Sequence, residues 1–357
     1  MMILRRYLAR EVYVSTAFVF IGFLALFAFF DLINELGDLG KGDYRLPHIL
    51  LFVLLTVPSH VYELAPIAVL IGTLYSLSHL ASNSEFTVMR VSGLSPVRAA
   101  AVLARIGVVF VVITYAFGEL VAPFSEKAAQ QVRLTALSSS MAQALRTGLW
   151  VKEELRFVNV REVLPDSTIK SIKVYDFDKE FRLRTISEAS RGDYQSNNVW
   201  RLTGVVRTHF EADRISLEKM PDMLWTSVLT PEMLSVLIVQ PERMSAWNLY
   251  QYTRHLDANN QKTERFEIAL WKKLVYPFAA LVMMALALPF AYVHVRAGGV
   301  GVKIFSGIML GILFHMLNSL FSHLGLLQSW SPLTSAILPS LVFLSAALIM
   351  MWWVERR

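Results

Sequence analysis

Cysteine is absent from this 357-residue sequence, and charged residues are scarce, at 17%. The absence of cysteine excludes disulfide bonds and thiolate chemistry, although it does not identify a compartment. The scarcity of charge accompanies a hydrophobic fraction of 55% and a mean hydropathy of +0.46. A soluble protein would not arrange its apolar residues in uninterrupted runs of about 20, the length that spans a bilayer. The composition therefore predicts an integral membrane protein, and the net charge of +6 need not indicate nucleic acid as a partner.

The motifs of several common enzyme classes are also missing. No G-x-x-x-x-G-K-[ST] phosphate loop occurs, since the glycine cluster at 298–303 has the wrong spacing. Neither H-E-x-x-H nor G-x-S-x-G is found. His60 and Glu63 could present two ligands on one helix face, although a packed polar pair is the favoured interpretation. We therefore expect no catalytic residue, no metal site and no cofactor bound by this chain.

Apolar segments that could span a membrane occur six times, at about 12–33, 48–80, 99–121, 271–293, 304–326 and 333–354. The first is too long for the core of a signal peptide, so we expect a retained span. The second exceeds one bilayer and contains Pro58 and Pro66, which predicts one long, kinked helix. The third is expected to end at Pro123.

Residues 124–265 differ from the rest, because charges are frequent and apolar runs are short. Leu155 and Phe157 alternate with their neighbours, and the same period of two occurs at 172–174 and 200–202. This alternation is typical of antiparallel strands with one buried face. The predicted fold class is a membrane α-helical bundle of six transmembrane helices with an inserted antiparallel β-domain. The predicted domains are residues 1–123, 124–265 and 266–357.

The distribution of basic residues in the short loops predicts the orientation. With both termini inside, the cytoplasmic set is Arg5, Arg6, Arg10, Arg90, Arg98, Arg105, Arg296, Lys303, Arg356 and Arg357. The two short outer loops contribute only Lys41 and Arg45. Because lysine and arginine in short loops favour the cytoplasmic side, we expect cytoplasmic termini and an extracytoplasmic β-domain.

A short helix is predicted in the cytoplasmic loop between the second and third spans, at 82–93. Ser82 with Glu85 three residues later forms the pattern of a capping box. Gly93 followed by Pro96 is a helix stop. The loop is therefore predicted to contain a helix of its own between the two spans.

One face of this helix carries Phe86, Met89 and Arg90, which are three and four residues apart. Two interpretations remain open from the spacing. The helix either rests its apolar side in the lipid interface, or it docks into the groove of a cytoplasmic partner. In the second case Phe86 and Met89 act as anchors and Glu85 offers charge.

Basic residues at the predicted outer boundary run against the usual charge bias of membrane proteins. They are Lys127, Arg133, Lys262, Arg265, Lys272 and Lys273. These side chains either extend to ordinary headgroups or form a cluster for the phosphate groups of an anionic lipid. Acidic residues in or near the spans, Asp31, Glu63 and Glu119, indicate structural pairing inside the bundle or a proton path.

Four motifs, in order along the chain, resemble one known family. The sequence Ser-Glu-Phe-Thr-Val-Met-Arg-Val-Ser-Gly at 84–93 is similar to the coupling-helix motif of the LptF/LptG lipopolysaccharide-export permeases. Residues 118–123 resemble the end of that family's third span, and 267–274 with Pro277 resemble the entry to its fourth. Gly-Leu-Trp-Val-Lys at 148–152, with 157–160, is similar to the opening strands of the G-type subunit.

The resemblance implies a permease subunit of an ABC transporter in the Gram-negative inner membrane, with a periplasmic β-jellyroll-like domain. Such a subunit extracts lipopolysaccharide and passes it to a periplasmic bridge. The implied partners are an F-type permease (LptF), a cytoplasmic ATPase dimer (LptB), a single-span jellyroll subunit (LptC) and the bridge protein (LptA). ATP and Mg²⁺ would be bound by the ATPase.

The resemblance also implies roles for individual residues. Glu85, Phe86, Met89 and Arg90 would lie at the ATPase groove, and Arg133 matches a basic position after the third span. Lysines that some members carry near the outer end of the first span are replaced here by acidic residues and glycine, so those lipid contacts are not expected. The alternative function is a membrane-anchored receptor or scaffold that uses only its β-domain.

Overall fold

The computed structural model of the protein describes residues 2–144, 149–163, 168–196, 198–210, 214–230, 241–258, 262–292, 300–328 and 330–356. Several predicted features lie outside these ranges. They are Gly148 of the strand motif, Arg296 and Arg357 of the charge count, and the end of the fourth span at 293.

Within the described ranges, six helices are long and apolar enough to cross a membrane: Ile3–Leu36, Leu46–Ser82, Pro96–Leu137, Glu264–Tyr292, Gly301–Leu327 and Pro332–Glu355. They confirm the six predicted spans. A helix satisfies its own backbone polar groups, which lipid cannot do, so long apolar runs form helices in a bilayer.

The helices are numbered in chain order. They are α1 (Met2–Leu36), α2 (Leu46–Ser82), α3 (Glu85–Val91), α4 (Pro96–Ala116), α5 (Ala122–Ala144), α6 (Ala246–Ala258), α7 (Glu264–Val275), α8 (Ala279–Ala287), α9 (Pro289–Tyr292), α10 (Val300–Leu327) and α11 (Pro332–Glu355). A turn of 3₁₀ helix, Tyr276–Phe278, joins α7 to α8 within the fourth span.

Helix α2 lies at the centre of the bundle as one 37-residue helix that contains Pro58 and Pro66, as predicted. Its residues Leu70, Leu74 and Leu77 are fully buried in the main apolar core. Helix α1 crosses α2 closely at Gly72, where a Cβ atom would lie 2.5 Å from Thr16 Cα. Only glycine at this position allows the two backbones to approach so closely.

The helix of the third span does not end at Pro123, where a stop was expected. A π-helical turn, Phe117–Val121, connects α4 directly to α5, and the helix continues to Ala144. A proline inside a regular helix clashes with the carbonyl group four residues earlier. The wider π-helical turn immediately before Pro123 displaces that carbonyl, so the helix passes through the proline.

The middle of the chain forms one six-stranded antiparallel sheet, which confirms the inserted β-domain. Its strands are β1 (Leu149–Glu153), β2 (Arg156–Val163), β3 (Ile169–Phe177), β4 (Leu183–Ser196), β5 (Val199–Phe210) and β6 (Ile215–Thr226). Each strand pairs with the next one in the sequence, so the described sheet is a meander. Helix α6 and all but the first two residues of α5 also lie within the predicted domain range 124–265.

One face of the sheet is buried. Ile172, Val174, Trp200 and Leu202 lie in this core, in agreement with the period of two at those positions. On β2 the buried residues are Val158 and Val160 rather than Phe157. Phe157 packs against Phe177 instead, with the ring centroids 5.6 Å apart. The period of two is therefore kept on β2, but its apolar core residues are Val158 and Val160, and Phe157 pairs with another aromatic residue of the neighbouring strand.

The sheet curves around its own core. Ser227, just after β6, donates a hydrogen bond to Glu153 of β1. The indole nitrogen Nε1 of the fully buried Trp200 donates to the carbonyl oxygen of Leu229 at 2.7 Å. The first contact brings the end of β6 next to β1, and the second holds Leu229, which follows β6, in the core of the sheet.

Candidate functional site

Helix α3 forms between α2 and α4, but its predicted capping box is wrong. Ser82 is the last residue of α2, and its hydroxyl donates to the carbonyl oxygen of Ser78 at 2.9 Å. Ser84 occupies the N-cap instead and makes no side-chain capping hydrogen bond within the described chain. The helical pattern of α2 runs through Ser82, which makes this back-bond available. Gly93 has φ +97° after the helix, which agrees with the predicted stop.

The predicted apolar face of α3 faces the bundle. Phe86 is 2% exposed and Met89 is 6% exposed, and both belong to the main core. The ring of Phe86 packs edge-on against the ring of Tyr292, with the centroids 5.1 Å apart. The guanidinium group of Arg90 lies 4.7 Å from the centroid of the Tyr292 ring. Phe86 and Met89 are therefore not free to act as anchors in the groove of a partner.

The opposite face of α3 is open to the surroundings. Val88 is 64% exposed and Val91 is 86% exposed. Glu85 accepts a hydrogen bond from the hydroxyl of Tyr7 in α1, with 2.9 Å between the oxygen atoms. The exposed residues of α3 are Thr87, Val88, Arg90 and Val91, and they lie beside the Glu85 carboxylate that accepts from Tyr7.

A polar cavity of about 370 Å³ lies among α1, α2, α5 and the segment before α6. Its lining includes Asp31, Glu35, Ser59, His60, Glu126, Arg133 and Arg243. His60 Nε2 lies 2.6 Å from Asp31 Oδ2, a contact between α1 and α2. Within the ranges that the structure describes, no three histidine, aspartate or glutamate side chains come together as metal ligands would.

Glu126 is the most deeply buried acid of this cavity, with its side chain 1% exposed. Arg243 Nη1 donates to Glu126 Oε1 at 2.6 Å, and the Ser59 hydroxyl donates to Glu126 Oε2 at 3.1 Å. A buried carboxylate is tolerated only when it is paired in this way. The pair joins the helix that leads to the sheet with the segment that returns from it.

Arg133 lines the same cavity but is paired with acids. Its guanidinium group lies 2.8 Å from Asp38 Oδ2 and 3.3 Å from Glu35 Oε2. Hydrogen bonds from Lys41 and then from Arg133 lower the pKa of Asp38, which lies just beyond α1. Lys127 is exposed and does not line the cavity. The structure therefore separates these two predicted lipid contacts.

A second cavity, of about 270 Å³, lies among α2, α7 and α10. Lys272 and Lys273 both line it, and the Nζ atom of Lys273 lies 4.5 Å from the centroid of the Tyr62 ring. Lys262 and Arg265 are exposed near the start of α7 and are not part of its lining. Four of the six predicted outer cations thus lie apart from this cavity, and two are brought together in it.

The predicted acidic residues are used structurally or line the cavities. Asp31 pairs with His60, and both carboxylate oxygens of Glu119 accept from the backbone N–H of Ala246, at 3.0 Å each. Glu63 lines the second cavity, whereas His60 lines the first. These two residues therefore do not form the packed polar pair that was predicted.

Arg243 lines both cavities and was not among the predicted site residues. Tyr7 and Tyr292, two aromatic residues that contact α3, were not predicted either. Each of these contacts joins residues far apart in the sequence, and no local pattern signals them.

Comparison with known proteins identifies the family. The sequence model of the family described as "Lipopolysaccharide export system permease LptF/LptG" matches residues 6–353. The chain is 29% identical to "Lipopolysaccharide export system permease protein LptG" of Haemophilus influenzae over 355 residues, which cover 99% of this chain and 98% of that protein. It is also 29% identical over 357 residues to the protein of the same name from Escherichia coli K12, with the same coverage. This multi-pass membrane chain belongs to the LptF/LptG family of lipopolysaccharide export system permeases.

Proposed function

We propose that this chain is the G-type permease subunit of an ABC transporter that extracts lipopolysaccharide from the inner membrane and passes it to a periplasmic bridge. The observation that carries the proposal is the family match over residues 6–353. The chain lacks a phosphate loop, so the proposal assigns ATP, Mg²⁺ and hydrolysis to a separate ATPase dimer and leaves this subunit non-catalytic.

The proposed complex contains this chain, an F-type permease, the ATPase dimer, a single-span jellyroll subunit and a periplasmic bridge protein. The charge asymmetry of the short loops supports cytoplasmic termini, and therefore a cytoplasmic α3 and a periplasmic sheet. In this arrangement the motor and the lipid-handling domain lie on opposite sides of the membrane, and the bundle connects them.

The contact with the ATPase is proposed to be made by the exposed face of α3, with Val88 and Val91 as its apolar part and Glu85 beside them. This refines the sequence-based proposal, because Phe86 and Met89 are buried in the core of this chain. Their role is to fix α3 to the bundle. A helix fixed in this way can pass a displacement of the motor on to the spans.

The phosphate groups of the lipid are proposed to meet Lys272 and Lys273, the two predicted cations that share a cavity. Lysine binds phosphate as a point charge, and partial burial strengthens that attraction. Arg133 remains a candidate contact, although a phosphate would have to compete with Glu35 and Asp38 for its guanidinium group.

The double variant Val88→Asp, Val91→Asp tests the proposed contact. Two carboxylates on an apolar docking face must be desolvated on binding, so we expect at least about a tenfold loss of ATPase association. The measurement is the amount of ATPase that copurifies with the permease. The double variant Asn83→Asp, Ser84→Asp is the matched control, since it adds the same two negative charges at exposed positions just outside α3.

Insertion of the double variant into the membrane should remain normal, because neither valine lies in a span. Copurification equal to that of the unmodified chain would refute the proposed docking face. If the unmodified chain purified without any ATPase, the transporter assignment itself would be wrong.

The alternative, a membrane-anchored envelope receptor or scaffold, is favoured by one observation. Strand β6 is an edge of the described sheet and exposes Ile215, at 69%, and Leu217, at 60%. An open edge with exposed apolar side chains can pair with a strand of another protein. A scaffold would need no ATPase, so the copurification experiment also separates the two functions.

A further inference from the structure

Two tyrosines from different spans contact α3. Tyr7 of α1 donates its hydroxyl hydrogen to Glu85 at the start of α3. Tyr292, the last residue of α9 in the fourth span, packs against Phe86 and lies beneath Arg90. A displacement of α3 therefore acts on the first span through a hydrogen bond and on the fourth span through ring packing.

Helix α1 is held against α2 at a point beyond Tyr7. A Cβ atom at Gly72 would lie 2.5 Å from Thr16 Cα and 2.7 Å from Thr16 N, so the two backbones touch there. Packed helices resist compression but can change their crossing angle. The crossing of Thr16 and Gly72 therefore has the geometry of a pivot for α1.

The two arms of α1 about this pivot differ in length. At 1.5 Å per residue, Tyr7 lies about 14 Å from Thr16 and Asp31 lies about 22 Å beyond it. A rotation about the pivot would move Asp31 about 1.7 times as far as Tyr7. The long arm ends at the polar cavity, where Asp31 contacts His60 and Glu35 accepts from the hydroxyl of Tyr44 at 2.8 Å.

We propose that Tyr7 is a positioning residue that transmits the movement of α3 to α1, and that α1 turns about Thr16 and Gly72 so that its outer end moves against α2. The inference rests on the proposed function, in which the ATPase displaces α3. It adds the path by which that displacement reaches the outer side of the bundle. The contacts of Asp31 and Glu35 with α2 and its neighbours are the ones that rotation would alter.

The absence of cysteine allows a direct test. Leu36→Cys and Gln328→Cys place spin labels at exposed positions at the ends of α1 and α10. The label-to-label distance is measured in the assembled complex, without nucleotide and after trapping with ATP and vanadate. In the labelled chain that keeps Tyr7, we expect the label-to-label distance to change on trapping. In the labelled chain with Tyr7→Phe, we expect it to stay constant.

Tyr13→Phe is the matched control, because it removes a hydroxyl from the same helix and leaves the Tyr7–Glu85 contact in place. It should keep the full change in distance. Gly72→Ala tests the pivot independently of nucleotide: its Cβ forces α1 away from α2, so the resting distance should already differ.

The outcomes separate this inference from the proposed function. Suppose that the Tyr7→Phe complex assembles and hydrolyses ATP. If its label-to-label distance then changes on trapping as much as that of Tyr13→Phe, the role of Tyr7 is overturned. An unchanged resting distance with Gly72→Ala would overturn the pivot. Failure of the unmodified chain to assemble with an ATPase would instead remove the proposed function, and this inference with it.

Discussion

Glu126 and Arg243 form an ion pair between residues 117 positions apart, and the Glu126 side chain is 1% exposed. Removal of one partner from a buried pair leaves an uncompensated charge, which costs more than the pair itself contributes. We therefore expect Arg243→Ala to lower the free energy of unfolding by about 3–5 kcal/mol. Denaturant titration of the purified chain in micelles measures this loss.

Two further variants identify the cause of that loss. Adding Glu126→Gln to Arg243→Ala should recover part of the stability, since the unpaired charge is then gone. Arg265→Ala, at an exposed position, should stay close to the parent. An Arg243→Ala chain as stable as the Arg265→Ala chain would show that the pair contributes nothing.

Individual residues were only partly predictable from the sequence. The spacing of Phe86 and Met89 correctly predicts that they share a helix face, because helical periodicity is local. The sequence does not show whether that face meets the bundle or a partner. That choice depends on Tyr292, which lies two hundred positions away. The partner of Glu126, Arg243, is likewise distant in the sequence and could not be predicted from local patterns.

At the scale of elements, the contact between the end of β6 and β1 is made by an acidic residue, Glu153. Burial raises the pKa of Glu153, and the hydrogen bond from Ser227 offsets only part of this effect. Because the folded state binds the proton more tightly than the unfolded chain, the stabilisation is present below the ordinary value of 4.5 and is lost as pH rises through the raised pKa. We expect the sheet to be less resistant to proteolysis at pH 8 than at pH 5.

Substitutions at two carboxylates test this effect with opposite signs. Glu153→Gln should make the sheet more resistant than the parent at neutral pH, and the difference should vanish as the medium becomes acidic. The hydrogen bond from Arg191 lowers the pKa of Asp193, so Asp193→Asn should cost stability at neutral pH instead. Identical pH profiles for the parent and Glu153→Gln would contradict the assignment.

At the scale of elements, the sequence predicts what depends on local periodicity. The long apolar run of α2 forms one helix despite Pro58 and Pro66, as expected. The continuation through Pro123 was not predictable, because the π-helical turn that accommodates this proline has no sequence pattern of its own. Strand β2 keeps its period of two, but local alternation does not show which face is buried, and Val158 and Val160 rather than Phe157 face the core.

For the whole molecule, six spans and an inserted sheet follow from apolar run lengths and alternation. The arrangement of the spans around α2, and the two cavities, do not. They depend on close contacts such as that between Thr16 and Gly72 and on ion pairs between distant segments. The family resemblance contributes the proposed partners and direction of transport, which periodicity alone does not contain.

The central claim is that α3 and the sheet lie on opposite sides of the membrane, with α3 on the side of the motor. Since the chain has no cysteine, Val88→Cys and Leu217→Cys each introduce a single exposed thiol. A membrane-impermeant thiol reagent is applied to intact spheroplasts and then to lysed cells. We predict that Leu217→Cys reacts in intact spheroplasts, whereas Val88→Cys reacts only after lysis. Labelling of Val88→Cys in intact spheroplasts would contradict the account.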